Sequence, residues 1–146
     1  MNLSTSGLAL LKKLEGLSLV AYKDSAGIPT IGYGHVMKKT DTSPITEDEA
    51  EALLRTDIAR IESVVQNVPA IPPLKQNQFD ALVIFVYNIG PYAFNTSTLR
   101  KILTGKKSGN AAAQFDKWVY VTVNGEKQIV QGLVKRRKAE RELFET

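Results

Sequence analysis

The sequence predicts an α+β fold with one small β-rich segment near the N-terminus and a mainly helical remainder. Short β-type runs surround a turn-forming stretch within residues 19–36. Long apolar stripes at helical intervals occupy residues 46–67 and 75–90. With 146 residues and no cysteine, the chain can bury about two-thirds of its unfolded surface and needs no disulfide. We therefore expect a single domain over residues 1–146.

The first helix is expected over residues 2–14, where leucines recur at helical spacing and Ser4 or Ser6 is a candidate N-cap. Gly16 ends it. Glu15 then stands at the helix C-terminus, where the negative end of the helix dipole disfavours a second negative charge. That position favours a protonated carboxyl group, which is the form that a general acid needs.

A β-hairpin is expected next, with strands at residues 19–22 and 30–34 and a turn at residues 23–27. This arrangement places Asp24 in the turn and Thr30 at the start of the returning strand. Taken singly, Asp24 is an ordinary turn residue and Glu15 an ordinary helix-end charge. Together, two carboxyl groups and a hydroxyl are the groups needed to cut a glycosidic bond with water.

The spacing of these groups is distinctive. Eight residues separate Glu15 from Asp24, five separate Asp24 from Thr30, and Gly32-Tyr33-Gly34-His35 follows. This string resembles the active-site segment of bacteriophage endolysin lysozymes of glycoside hydrolase family 24, the lambdoid and T-even phage muramidases. Further matching segments cover nearly the full chain: residues 45–50, 76–82, 88–90, 97–99 and 132–144.

The resemblance implies a lysozyme-like fold with the active site between two lobes. A small N-terminal lobe with a β-hairpin sheet would span about 1–45, a long connecting helix about 46–67 and a mainly helical C-terminal lobe about 68–146. It also implies cleavage of the β-1,4 bond from N-acetylmuramic acid to N-acetylglucosamine in peptidoglycan, for host cell lysis. Glu15 would be the general acid, while Asp24 and the Thr30 hydroxyl would hold the attacking water in an inverting mechanism.

The same residue-by-residue match implies further site residues. Five would bind substrate: Gly34, Val36, Tyr87, Thr98 and Gln114. His35 would pair with Asp57 on the connecting helix, which would raise the pKa of His35 and tie the hairpin to that helix. Arg136 would approach the catalytic acid, although the neighbouring Arg137 leaves this assignment open. His35 is the only histidine, so we expect no metal site and no cofactor.

The remaining segments predict helices and one more hairpin. Thr46 and Glu49 have capping-box spacing at the start of the long helix. Helices are expected at residues 75–90, 96–104 and 109–118. The Asn124-Gly125 pair between two strand-like runs predicts a type I′ hairpin over residues 120–130.

The net charge of the chain and its distribution bear on which partners the protein could bind. The net charge of +4 comes from 19 basic and 15 acidic residues, with a dense basic cluster at residues 135–138 and Arg141. Such a cluster is compatible with nucleic acid, with a solvated helix face, or with attraction to polyanionic bacterial envelopes. No aromatic platform accompanies the charge, so we expect no nucleic-acid partner.

The sequence also bears on how the protein would reach its substrate. No apolar run reaches the roughly 18 residues of a membrane span, and no signal-peptide pattern is visible. We expect a monomer without stable membrane association, held in the host cytoplasm before lysis and dependent on a holin or other membrane lesion to reach the wall in the periplasm. Two alternative functions fit the sequence less well. A lytic transglycosylase needs no water-holding Asp and Thr, and an inactive wall-binding module would lack an acid, whereas this chain has all three groups.

Overall fold

The computed structural model describes all 146 residues and confirms the α+β fold class. The helices are α1 Thr5–Glu15, α2 Glu47–Gln66, α3 Gln76–Ile89, α4 Pro91–Asn95, α5 Thr98–Leu103, α6 Ala111–Phe115 and α7 Gln131–Glu145. The strands are β1 Ser18–Lys23, β2 Pro29–Gly32, β3 His35–Val36, β4 Tyr120–Val123 and β5 Glu126–Ile129. None of the helices combines the length and the apolar character that a membrane span requires.

The chain forms two compact units, one of residues Leu8–Arg60 and one of Met1–Gly7 with Ile61–Thr146. The boundary therefore falls within α2, and the first seven residues belong to the helical unit rather than to the β-containing one. The cause is Asp80, a buried carboxylate. It accepts hydrogen bonds from the amide and the hydroxyl of Ser4. A buried charge requires such donors.

The β-containing unit, Leu8–Arg60, holds a three-stranded antiparallel sheet in the order β1-β2-β3. A small core lies between this sheet and the start of α2, formed by Ile31, Ile45 and Ala50. Gly32 has a φ of 67°. A Cβ atom there would lie 3.5 Å from the Cβ of Ala50, which is an ordinary van der Waals contact, so the backbone conformation and not the space beside α2 favours glycine.

Helix capping follows the sequence closely. The Ser4 hydroxyl accepts a hydrogen bond from the amide of Gly7 at 3.0 Å, which starts α1 at Thr5 instead of residue 2. Thr46 and Glu49 exchange side-chain to backbone hydrogen bonds of 3.1 Å in each direction. The predicted capping box of α2 is therefore confirmed.

The helical unit is built around α3, whose residues Phe79–Val86 are all buried. All of these residues except Asp80 are apolar, and a helix that is apolar on nearly every side belongs in the centre of a core. The Phe85 ring contacts Phe115 edge-on, with 4.9 Å between centroids, and Trp118 at 5.8 Å. Edge-to-face geometry of this kind adds about 0.5–1.5 kcal/mol per pair to the burial of the rings.

The second hairpin joins β4 to β5, which pair antiparallel. Asn124 and Gly125 have φ values of 51° and 80°, the two positive values that a type I′ turn requires. The predicted turn is confirmed. The sequence did not reveal α4, a short helix that begins with a proline at its first position.

Candidate active site

The three predicted catalytic residues all lie in the β-containing unit. Glu15 is the last residue of α1 and is half-buried, and Asp24 lies in the turn between β1 and β2. The Asp24 Oδ1 atom accepts hydrogen bonds from the amides of Ala26 at 2.8 Å and Ile28 at 2.9 Å. These bonds fix the carboxylate, while its Oδ2 atom makes no hydrogen bond to the protein.

Thr30 lies in the central strand β2 and is buried. Its hydroxyl donates to the carbonyl of Ile28 at 2.9 Å. Thr30 faces Tyr22 of β1 and Val36 of β3 in the sheet register. Directly opposed residues project from the same face of a sheet, so the predicted binding residue Val36, which is exposed, emerges beside Thr30. Gly34, with a φ of 76°, forms the turn before β3.

Tyr22 lies beside the candidate catalytic residues, opposite Thr30 in the sheet, and the sequence analysis did not assign it a role. Burial raises the pKa of its phenol, and the nearby carboxylates of Glu15 and Asp24 raise the pKa further. The fields of both predicted catalytic acids therefore reach one hydroxyl. Strand periodicity could have found it, because Tyr22 lies two residues before Asp24 and opposite Thr30.

His35 is held on both sides by carboxylates. Its Nδ1 atom lies 2.6 Å from Asp57 Oδ2 on α2, the contact that the resemblance implied. Its Nε2 atom lies 2.9 Å from Asp41 Oδ2, which the sequence did not reveal. Burial lowers the pKa of His35, but the hydrogen bonds to Asp57 and Asp41 outweigh burial, and the net shift is upward. The imidazole thus fastens β3 to α2.

A groove with a volume of about 510 Å³ lies in the helical unit. Two predicted substrate-binding residues, Thr98 and Gln114, line it together with Asn88 and Trp118. Amide, hydroxyl and indole groups suit saccharides, which present hydroxyls and apolar C–H faces. The predicted Tyr87 does not line this groove but packs against the helical core.

Arg136 and Arg137 differ in their surroundings although both are buried. Arg137 lines the groove and donates to Asn88 Oδ1, to the carbonyl of Trp118 at 2.9 Å and to Glu140 Oε1 at 2.5 Å. Arg136 instead donates to the carbonyl of Ile84 at 3.1 Å and to Glu140 Oε2 at 3.2 Å.

These contacts show that the basic cluster at residues 135–138 is only partly exposed, which weakens all three interpretations of it as a charged surface. Only its two lysines and Arg141 retain exposure, with Lys138 facing Glu142 and Arg141 pairing with Glu145. The cause is helical spacing. Residues 133, 137, 140 and 144 recur at intervals of three and four, so the arginines share a face with the apolar residues of α7.

Residues 12–140 match the family model described as phage lysozyme. The chain belongs to the phage lysozyme family. It is also 46% identical over 146 residues to the endolysin of Acyrthosiphon pisum secondary endosymbiont phage 1, covering 100% of this chain and 99% of that endolysin.

Solved structures agree with this membership in the phage lysozyme family. The muramidase domain of SpmX from Asticaccaulis excentricus superimposes with a TM-score of 0.88 at 37% identity, covering 99% of this chain and 98% of that domain. The endolysin from Escherichia coli O157:H7 phage FAHEc1 gives a TM-score of 0.87 at 39% identity, covering 99% and 93%. The lysozyme-like fold is confirmed, and this family member is a glycoside hydrolase of the lysozyme type that degrades peptidoglycan.

Proposed function

We propose that this phage lysozyme cleaves the β-1,4 bond from N-acetylmuramic acid to N-acetylglucosamine by an inverting mechanism. Glu15 donates a proton to the leaving oxygen. Asp24 and Thr30 hold the water that attacks the anomeric carbon from the opposite face.

The geometry of Asp24 is the observation that carries the proposal. Its Oδ1 atom is occupied by two backbone amides, and its Oδ2 atom makes no hydrogen bond to the protein. An attacking water must direct a lone pair at carbon and give its hydrogens to acceptors. The Oδ2 atom supplies one acceptor and removes a proton as the bond forms.

Thr30 supplies the second acceptor. Its hydroxyl hydrogen is directed to the Ile28 carbonyl, so the lone pairs of Oγ1 remain to accept from water. A carboxylate that itself attacked carbon would have no use for this hydroxyl. The neighbouring Tyr22 phenol, whose pKa is raised by burial and by both acids, stays protonated and adds a donor at the site.

In this proposal further residues bind the substrate. Val36 and Gly34 contribute the turn region, while Thr98 and Gln114 contribute the polar wall of the groove. Tyr87, which packs against the core of the helical unit, would also bind substrate. His35 with Asp57, and Arg137 in preference to Arg136, support the site without reacting.

Substitution of Glu15 tests the assignment. Glu15→Gln keeps the shape of the side chain and removes the transferable proton, so release of reducing ends should fall by about 10²–10⁴-fold. Glu47→Gln, an exposed acid in the first turn of α2, is the matched control and should remain active. A Glu15→Gln protein that digests peptidoglycan at the normal rate would refute the general-acid role.

Mass spectrometry of the same digests separates hydrolysis from the transglycosylase alternative. Hydrolysis adds water and gives a reducing end, whereas transglycosylation gives a 1,6-anhydro end of lower mass. An inactive wall-binding module would give neither. The expected monomer and the expected dependence on a holin stay predictions, which sedimentation and expression with and without a holin would test.

A further inference from the structure

Tyr22 carries a hydroxyl group that the protein itself does not use. The residue lies in β1 and is 42% exposed. Its phenol makes no hydrogen bond to any protein group. The neighbouring side chains of Asp24 and Thr30, in contrast, are each held by hydrogen bonds to the backbone. A phenol without a hydrogen bond inside the protein is available to donate to a ligand or a water.

The sheet brings Tyr22 to the same face as the two residues proposed to hold water. Tyr22 lies directly opposite Thr30, and opposed residues of antiparallel strands have Cβ atoms about 4.5–5.5 Å apart on one face. Asp24 follows two residues after Tyr22, and its amide continues the strand pairing with a hydrogen bond of 3.0 Å to the carbonyl of Ile28. Side chains two residues apart along a strand share a face, so the three polar side chains emerge together.

The backbone of Ile28 fixes the positions of Asp24 and Thr30 relative to each other. Its carbonyl accepts from the Asp24 amide at 3.0 Å and from the Thr30 hydroxyl at 2.9 Å. Its amide donates to Asp24 Oδ1 at 2.9 Å. Both acceptors proposed for the attacking water, Asp24 Oδ2 and Thr30 Oγ1, are therefore held by the same peptide segment. A water bound between them would donate both of its hydrogens.

Two hydrogen bonds do not fix an attacking water completely, because the water can still swing about the line that joins its two acceptors. A third hydrogen bond removes this motion. It must come from a donor, since both hydrogens of the water are already used. One lone pair then accepts from that donor and the other is directed at carbon, which is the alignment that the reaction needs. Tyr22 supplies a hydroxyl donor on the face where Asp24 and Thr30 supply the acceptors.

We propose that Tyr22 is a further catalytic residue, whose phenol donates a hydrogen bond to the attacking water and directs its second lone pair at the anomeric carbon. The inference rests on the proposed inverting mechanism and deepens it. As the water oxygen bonds to carbon, one water proton passes to Asp24 and Glu15 protonates the leaving oxygen, so the phenol keeps its own proton throughout. Burial and the nearby carboxylates of Glu15 and Asp24 raise the pKa of Tyr22, which keeps the phenol protonated as a donor.

Tyr22→Phe removes the hydroxyl and keeps the ring. On a soluble, uncrosslinked glycan strand kcat should fall about tenfold, the factor expected from one hydrogen bond. KM should be unchanged, because the phenol contacts the water and not the sugar. The free energy of unfolding should also be unchanged, since the phenol makes no hydrogen bond within the protein. Tyr92→Phe is the matched control and should keep full activity, because Tyr92 is 83% exposed and lies in the helical unit.

A double-substitution cycle tests whether Tyr22 and Thr30 act on the same water. Thr30→Val removes one acceptor and keeps the shape of the side chain, so the water is already poorly oriented. In that background Tyr22→Phe should lower kcat by no more than about twofold, because groups that act as a unit have non-additive effects. Thr30→Ser keeps an acceptor, and in that background the loss should stay close to tenfold.

An unchanged kcat in Tyr22→Phe would overturn the proposal, and so would a tenfold loss that persists in the Thr30→Val background. A raised KM with unchanged kcat would place the phenol against the sugar, and a lowered free energy of unfolding would make its role structural. Failure of the inverting mechanism itself is distinguishable. The unsubstituted enzyme would then release the β-anomer first, whatever the effect of Tyr22→Phe.

Discussion

Each of the two units contains a network of three ionisable side chains. One network has a central acidic group between two basic groups, and the other has a central basic group between two acidic groups. In the helical unit one carboxylate, Glu140, lies between two guanidinium groups, with side chains that are 0–8% exposed. In the β-containing unit one imidazole, His35, lies between two carboxylates, with side chains that are 8–18% exposed. Both networks join a loop or strand to a helix, but they respond differently to solution conditions.

The difference lies in which partner titrates. In the helical unit burial raises the pKa of Glu140, and the charges of Arg137 and Arg136 offset this only in part. Arginine keeps its charge at every pH at which proteins fold, so Glu140 titrates beside two permanent cations. Histidine loses its charge near neutrality. The fastening of β3 to α2 therefore depends on pH, and it supports the sheet that carries Asp24 and Thr30.

The largest effect should come from removing the central anion of the helical unit. Glu140→Gln leaves two buried guanidinium groups without their carboxylate, which should lower the free energy of unfolding by about 3–5 kcal/mol. Glu142→Gln on the same helix removes an exposed charge and should change it by less than about 0.5 kcal/mol. Urea unfolding of both variants measures this. Similar stabilities would show that the network is not the stabilising feature assigned here.

Removing the central cation of the β-containing unit should cost less and should depend on pH. His35→Gln should lower the free energy of unfolding by about 1.5–3 kcal/mol below neutrality, as expected for charged hydrogen bonds. Because the folded pKa of His35 is raised, its contribution is complete below the unfolded pKa of about 6.5 and is lost as pH rises through the folded pKa.

The difference between the unsubstituted protein and His35→Gln should therefore shrink between acid and alkaline pH. His35 is the only histidine, so no other imidazole contributes to this change. Denaturant titrations across the pH range would reveal it. A difference that stayed constant with pH would mean that His35 stabilises by packing and not by charge.

Asp41→Asn should give the smallest effect, about 0.5–1.5 kcal/mol for one hydrogen-bond partner weakened. Asparagine can still accept from the amide of Lys38, which Asp41 Oδ2 now binds at 2.7 Å. With Asp57 as its one remaining anionic partner, His35 should titrate at a lower pH, which NMR of the imidazole would measure. An unchanged titration would show that Asp41 does not share the charge.

Local sequence signals predicted most elements of the fold. Capping residues at Thr46, the Asn124-Gly125 turn and the leucine spacing of α1 act within a few residues of their cause. The start of α1 and the unit boundary were harder to predict, because they depend on Ser4 reaching Asp80, which is 76 positions away in the chain.

The site residues also divide into those that local sequence signals predicted and those that depend on contacts between distant positions. Glu15, Asp24 and Thr30 were predicted from their spacing and the family resemblance, and their catalytic roles stay predictions. The contact of Asp41 with His35 was not predicted, because a loop aspartate carries no periodic signal that aims it at His35. Burial of Arg136 and Arg137 was readable from the periodicity of α7. Which one lines the groove was not, since neighbours on a helix differ by about 100° in direction and only packing fixes that angle.

The anomeric configuration of the first product tests the central claim most directly. If Asp24 and Thr30 hold a water that attacks opposite the leaving group, proton NMR of a fresh digest should show the α-anomer first, followed by mutarotation toward equilibrium. Appearance of the β-anomer first would contradict the account. It would make Asp24 a nucleophile and leave the Thr30 hydroxyl without the role proposed for it.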